Sequence, residues 1–316
     1  MAECSYQGAI LAAGHGSRMG PFGDKVPKPI VPICNQPLLV YQIEALRSLG
    51  ITEILMVIGH LGHRIVQLLG DGSAHGVQIR YVEQLQRLGL AHAVRQLEPF
   101  IDRPFILMLG DMFYEFRELQ GLLDTFEKEK AAAVLAVREE SDAEEIRRNY
   151  TVLLREDGTA RRVIEKPRHA TTNLRGCGLY LFDLPVFDAI RRTPRTALRD
   201  EYELTDSIQI LIDYDFPVRV AHVIEWDTNI TLIGDLIRCC RRELRRRGQT
   251  SLVGEGCAIA EGVTLNETVV GDRVTITKPV CLERCVVLSD VILDDGLSYK
   301  DTVITPEHKL PGVSRN

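Results

Sequence analysis

Residues 10–29, ILAAGHGSRMGPFGDKVPKP, run from an apolar segment into three glycines within seven positions (14, 16 and 20), with the cations Arg18 among them and Lys28 beyond them. A buried strand that ends in a loop lacking Cβ atoms exposes backbone N–H groups, and such a concavity takes an anion, phosphate above all. Arg18 adds a planar fork for phosphate oxygens; Lys28 adds a point charge aimed by Pro27 and Pro29 on either side. Two common phosphate loops are excluded. No G-x-x-x-x-G-K-[ST] occurs, and the glycines miss the dinucleotide spacing by one residue. The second apolar run, Ile54–Ile58, also leads into Gly59-His60 and not into the acidic residue that a dinucleotide ribose needs.

Outward from this loop, strand and helix patterns alternate to about residue 137. Apolar runs at Gly8–Ala12, Ile54–Ile58, Gln78–Val82, Phe105–Leu109 and Ala132–Val137 read as strands. Helical spacing is predicted at Leu38–Leu49, His63–Leu69, Leu90–Leu97 and near Phe116–Lys130. Such alternation predicts an α/β, Rossmann-like, mostly parallel sheet flanked by helices. From 150 to 225 the pattern changes. Tyr150–Leu154 and Arg161–Ile164 flank Glu156-Asp157-Gly158 and read as a hairpin. Strands at Leu179–Phe182 and Val218–Val223 bracket two helices, and a long helix, Ile230–Arg246, closes a first domain at residue 247. In the second domain, 248–316, Val253, Ile259, Leu265, Val270, Ile276, Leu282 and Leu288 recur at steps of five or six, the pattern of a short parallel β-helix.

Composition limits the function classes. The chain has 316 residues, 45% of them hydrophobic, with a formal charge of −6, which argues against a nucleic-acid partner. Its basic cluster, Arg238 to Arg247, reads as the solvated face of a helix. No apolar stretch approaches the roughly 20 residues of a membrane span. The N-terminus has no secretory pattern, so a cytoplasmic protein is expected. The eight cysteines form no C-x-x-C pair, and reduced thiols are expected rather than a zinc site or disulfides.

LAAGHGSRMGP…PKP resembles the signature of the sugar-1-phosphate nucleotidyltransferases, or nucleoside-diphosphate-sugar pyrophosphorylases. The resemblance continues in order through EQLQRLGLAHAV (83–94), LGD (109–111), VIEKP (163–167), GCGLYLFD (176–183), EYELTD (201–206) and EWDTN (225–229). The tail looks like the left-handed β-helix of longer members, including the long type of glucose-1-phosphate thymidylyltransferase. The resemblance implies that an NTP and a sugar 1-phosphate react to give an NDP-sugar and pyrophosphate. The sugar phosphate is already an anionic nucleophile, so charge neutralisation and positioning are the whole task.

By the same resemblance, Arg18 neutralises the departing pyrophosphate, Lys28 the α- and β-phosphates, and Lys166 the phosphate of the sugar. Leu11, Ala12, Ala13, Gly14 and Gly16 line the nucleotide; Gln84 pairs with the base and Gly89 makes room for it. Glu165, Glu203, Gly178 and Thr151 face the sugar. Asp111 and Asp227 hold Mg²⁺, a cation suited to few protein ligands. A homo-oligomer is expected. Departures fall at Met112, where asparagine is usual, at Thr151, where glycine is common, and at Asn229, where the family's D-T-G ends in glycine. They put the sugar pocket in question. Alternatives are therefore a guanylyl- or cytidylyltransferase for an unusual sugar or cyclitol phosphate, and a non-catalytic regulatory homologue.

Overall fold

A computed structural model describes residues 5–14, 19, 21–169, 171–197 and 199–312. From the N-terminus come β1 (Gln7–Ala12), α1 (Pro21–Lys25), β2 (Pro32–Ile33), β3 (Gln36–Pro37) and α2 (Leu38–Ser48). β4 (Glu53–Ile58), α3 (Gly62–Leu69), β5 (Gln78–Glu83) and α4 (Leu90–Arg95) follow, then β6 (Phe105–Leu109), β7 (Met112–Phe116), α5 (Gly121–Glu129) and β8 (Ala133–Glu139). The next stretch holds α6 (Ala143–Arg148), β9 (Tyr150–Leu154), β10 (Ala160–Glu165), β11 (Leu174–Phe182), α7 (Pro185–Arg192) and α8 (Leu204–Asp213). β12 (Val218–Ala221), β13 (Ile224–Asn229) and α9 (Ile233–Arg246) lead into short strands that begin at Leu252–Val253. By compactness the chain divides into two units, residues 1–14 with 42–227, and residues 15–41 with 228–316.

The first unit is built on one sheet in the order β10-β9-β11-β6-β1-β4-β5, with β8 pairing β11 and β12. β6, β1, β4 and β5 are parallel, as expected from the alternating pattern. At β11 the sheet turns antiparallel, toward both β6 and β8. β1 is buried along its whole length, and its alternate side chains feed two layers. Ala9 and Leu11 join a core with Ala91 and Val94 of α4, Phe187 and Ile190 of α7, and Ile208 and Leu211 of α8. On the other face, a Cβ at Gly8 would lie 2.9 Å from Leu46 of α2, which explains the glycine.

Two predicted elements are corrected. Met112–Phe116 is a strand, and the helix that follows begins only at Gly121. β11 begins at Leu174, five residues before the predicted Leu179, and is buried throughout. Its glycines and arginine imitate a loop in composition.

From β1 the chain proceeds outward to β4 and β5, then returns to β6 on the opposite side of β1. That reversal leaves a crevice outside the carboxyl ends of β1 and β6, where open α/β sheets take ligands.

In the second unit the tail strands stack in three parallel ladders. Leu252 pairs with Val269, Val269 with Val286, and Val286 with Val303. Arg273–Asp290 and Arg284–Asp301, each 17 residues apart, join successive turns from outside. The interior holds Val270, Ile276 and Leu282 as the spacing predicts, then shifts by one residue to Val287 and Leu293. Leu288 is only half-buried. The basic cluster is not simply a solvated face. Arg241 and Arg245 fork Glu267 at 2.7 Å each, and Arg246 and Arg247 share Glu243 at 2.7 Å.

Gly110 tests the closeness of β1 and β6. A Cβ there would lie 2.8 Å from the Leu11 carbonyl oxygen, whereas one at Gly14 would meet nothing within 4 Å. Gly110→Ala is expected to cost ~1–3 kcal/mol in denaturant unfolding, against less than ~0.5 kcal/mol for Gly14→Ala.

Candidate active site

The crevice floor is made of backbone and very small side chains. Gly110 N donates to Leu11 O at 2.9 Å. On the other side, a Cβ at Gly59 would press on Ala13 at 3.1 Å. Leu11, Ala12 and Ala13 are buried, and Gly14 opens to solvent at the lip. Gly16 and Arg18 lie outside the described residues. Lys28 belongs to the second unit, where it is buried and opens the short 3-10 turn Lys28–Ile30.

Asp111 follows Gly110 at the end of β6 and is half-buried. Its turn is clamped from beneath. The Gln42 amide, buried in α2, donates to Leu109 O at 2.9 Å and to Met112 O at 2.7 Å. Tyr114 donates to Gly178 O at 2.7 Å, tying the strand after Asp111 to β11. Burial, with the Asp227 and Asp111 carboxylates adding to it, pushes the Tyr114 phenol far above its ordinary value, so it stays a donor.

Gly89 and Gly178 have structural reasons of their own. Gly89 has φ +105°, and a Cβ would lie 2.4 Å from Tyr202 O. Tyr202 N donates to Leu88 O at 2.7 Å and Ala91 N to Tyr202 O at 3.0 Å, so two chain segments cross there without room for a side chain. Gly178 has φ +69° at the irregularity of β11, with Leu109 occupying the direction of a Cβ at 2.9 Å. Gln84 is buried, and its Nε2 faces His92 Nδ1 at 3.0 Å. Burial, then Arg95, lowers the His92 pKa, and the neutral ring can accept from Gln84.

Around the β9–β10 hairpin, acidic and basic groups gather. Arg199 Nη1 donates to Glu203 Oε1 at 2.9 Å and reaches Glu165 Oε1 at 3.5 Å. Lys166 Nζ lies 3.4 Å from the same Glu165 oxygen. Lys166 has φ +43° just before Pro167, a sparsely populated conformation held by its N–H on Asn149 O at 3.0 Å. Thr151 sits between Ile164 and Arg175 in register; its hydroxyl is fully buried without a hydrogen-bond partner. Burial raises the Glu165 carboxyl, Lys166 opposes this, and Glu203 adds to it.

Asp227 has an engagement that its motif does not reveal. Arg175 Nη1 donates to Oδ2 at 2.9 Å and Nη2 to Oδ1 at 2.5 Å, while Arg138 Nε stands 3.4 Å from Oδ1. The Asp227 side chain is 0% exposed and that of Arg175 3%. Asp111 presents a hard oxygen donor at the crevice and fits a divalent cation. Asp227, enclosed and facing two guanidinium groups, does not fit one as it stands. Among the described residues, no three His, Cys, Asp or Glu side chains gather as a metal site.

Sequence reasoning passed over Gln42, Tyr114, Arg175 and Arg199. Arg199 alone left a signal, four residues before Glu203. Gln42 sits among the apolar positions of a helix, and Arg175 in what reads as a loop.

A family described as Nucleotidyl transferase matches residues 7–226. The low-salt glycan biosynthesis nucleotidyltransferase Agl11 of Haloferax volcanii is 35% identical over 78% of this chain and 69% of its own length. A glucose-1-phosphate thymidylyltransferase of Streptomyces antibioticus is 30% identical over 94% and 80%. The crystal structure of a UDP-glucose pyrophosphorylase complexed with UDP-glucose superposes with a TM-score of 0.67, covering 77% of this chain and 100% of that one. At 21% identity, that likeness is one of fold. No helix among the described residues is long and apolar enough to cross a membrane.

The carboxylate pair has a measurable signature. In a selective ¹³C titration Glu165 is expected to protonate above the ordinary 4.5, so stability falls as pH rises from there through its folded value. Glu203→Gln removes a like charge and frees Arg199, which moves that midpoint down. A wild-type midpoint at or below 4.5 would contradict the burial argument.

Proposed function

The chain belongs to the nucleotidyl transferase family, and we propose that it joins dTTP or UTP to glucose 1-phosphate, forming an NDP-glucose and pyrophosphate. Transfer of a nucleotidyl group to a sugar phosphate is the activity of its relatives. The observation that carries the reading is the crevice at the chain reversal. Its floor of Ala12, Ala13, Gly59 and Gly110 carries no side chain larger than a methyl group, and Asp111 follows at the end of β6.

In the proposed reaction an oxygen of the sugar 1-phosphate attacks the α-phosphorus in line. The new P–O bond forms as the bond to the β-phosphate oxygen breaks, and both electrons leave with pyrophosphate. No base is needed. The amides at Leu11–Gly14 and Gly16 cradle the nucleotide, with Gln84, held by His92, presenting its remaining oxygen to the pyrimidine edge. Gly89 keeps the neighbouring crossing thin. Arg18 and Lys28 offset charge on the nucleotide phosphates. Lys166 orients the attacking phosphate. Glu165 and Glu203, positioned by Arg199, accept hydrogen bonds from sugar hydroxyls. Gly178 and Thr151 shape the same pocket from β11 and β9. Mg²⁺ would supply further neutralisation of the phosphates, with Asp111 as its protein oxygen.

We read the 248–316 segment as a short left-handed β-helix that serves assembly of a cytoplasmic homo-oligomer. Val253 at 43% and Ile259 at 38% exposure leave its first turn with apolar surface.

Pyrophosphate release is the test, with Mg²⁺, five NTPs and a panel of sugar 1-phosphates. Release with dTTP or UTP and glucose 1-phosphate is expected. Release only with GTP or CTP and a heptose or cyclitol phosphate would replace the substrates, and no release with any pair would identify a non-catalytic homologue. Lys166→Ala is expected to raise KM for the sugar phosphate roughly 10- to 100-fold, the worth of one charged hydrogen bond.

A further inference from the structure

Arg175 and Arg138 stand directly opposite each other on the antiparallel β11–β8 ladder. Like charges in that relation repel. The structure tolerates them because two carboxylates complete the group. Asp227 receives the Arg175 fork at 2.5 and 2.9 Å and faces Arg138 at 3.4 Å. Glu140 takes Arg138 Nη2 at 2.6 Å and lies 3.8 Å from Arg175 Nε. Two positive and two negative groups therefore close on themselves, with Arg175 and Asp227 cut off from solvent. Burial opposes the Arg175 charge, but the Asp227 carboxylate outweighs it and keeps the guanidinium ionised.

A divalent cation approaching Asp227 would meet both guanidinium charges. It would also lack space for the water that Mg²⁺ retains when it binds through few protein ligands. Removing Asp227 would leave Arg175 buried with only Glu140, 3.8 Å away, as counter-charge, which is strongly destabilising. The burial and the bidentate fork thus give Asp227 a structural task that competes with metal binding.

We propose that Arg175 stands where the second carboxylate of a metal pair would otherwise collect its positive charge, so that Asp227 is the counter-ion of Arg175 and Arg138 and Asp111 alone offers an oxygen to a divalent cation. Arg175 is a positioning residue, enclosed and acting through Asp227. This rests on the nucleotidyltransferase reading for its functional meaning, but its test requires no substrate.

Thermal unfolding of wild type, Arg175→Met, Asp227→Asn and the double variant, each in EDTA and in millimolar Mn²⁺, decides it. In EDTA each single change is expected to lower Tm by roughly 5 °C or more, and the double variant to regain more than half of the summed loss. In Mn²⁺ only Arg175→Met is expected to recover, because the freed Asp227 then accepts the ion in place of the guanidinium. If Arg175→Met does not fold in EDTA, its refolding on addition of Mn²⁺ is the same result. Losses that simply add overturn the proposal, as does failure of Mn²⁺ to rescue Arg175→Met. So does Mn²⁺ stabilisation of wild type that disappears in Asp227→Asn. None of these outcomes depends on nucleotide transfer, so a negative pyrophosphate assay and a negative result here are separable.

Discussion

The approach of the β6–β7 turn to the end of β1 governs the first unit. Gly110 N lies 2.9 Å from Leu11 O, with no space for a side chain between the segments. That single contact fixes where Asp111 emerges relative to Ala12, Ala13 and Gly14. Gln42 holds the turn from below through two carbonyls, so the aspartate is carried on backbone that cannot drift. A loop held this way is pre-organised, which matters where catalysis consists of positioning and charge neutralisation.

Electrostatics divides the neighbourhood into two kinds of site. Glu165 and Glu203 are brought near one another, and burial raises Glu165 with Glu203 adding to the effect. Arg199 and Lys166 offset this only partly, through contacts of 2.9 to 3.5 Å. The Arg138–Arg175–Asp227–Glu140 group is different: its charges are matched internally, and it offers little to any ligand.

Much of the fold was legible because buried parallel strands are continuous apolar runs, as in Phe105–Leu109, and because Glu156-Asp157-Gly158 marks a turn. The errors share a cause. Met112–Phe116 mixes charge with aromatics, and Leu174–Gly178 contains an arginine and two glycines. Their strand character comes from partners distant in sequence, Val137–Glu139 for one and β13 for the other. At the site, motif positions were visible but the reasons for them were not. Gly89 and Gly178 read as space for ligand, and in three dimensions they are where backbone crosses backbone and where Leu109 packs. Composition also hid the neutralisation of the basic cluster in α9, since Glu267 is distant in sequence.

Two of the three departures from the resembled pattern, Met112 and Thr151, lie in the first unit. Met112, where asparagine is usual, gives its carbonyl to Gln42, and its Cγ would lie 3.5 Å from a Cβ at Gly178. Thr151 pairs in register with Arg175, and Arg175 captures Asp227. Arg199 links Glu165 and Glu203, and Lys166 lies beside Glu165. Asp111, half-buried at the end of β6, and Asp227, enclosed by Arg175 and facing Arg138, therefore stand in different electrostatic surroundings.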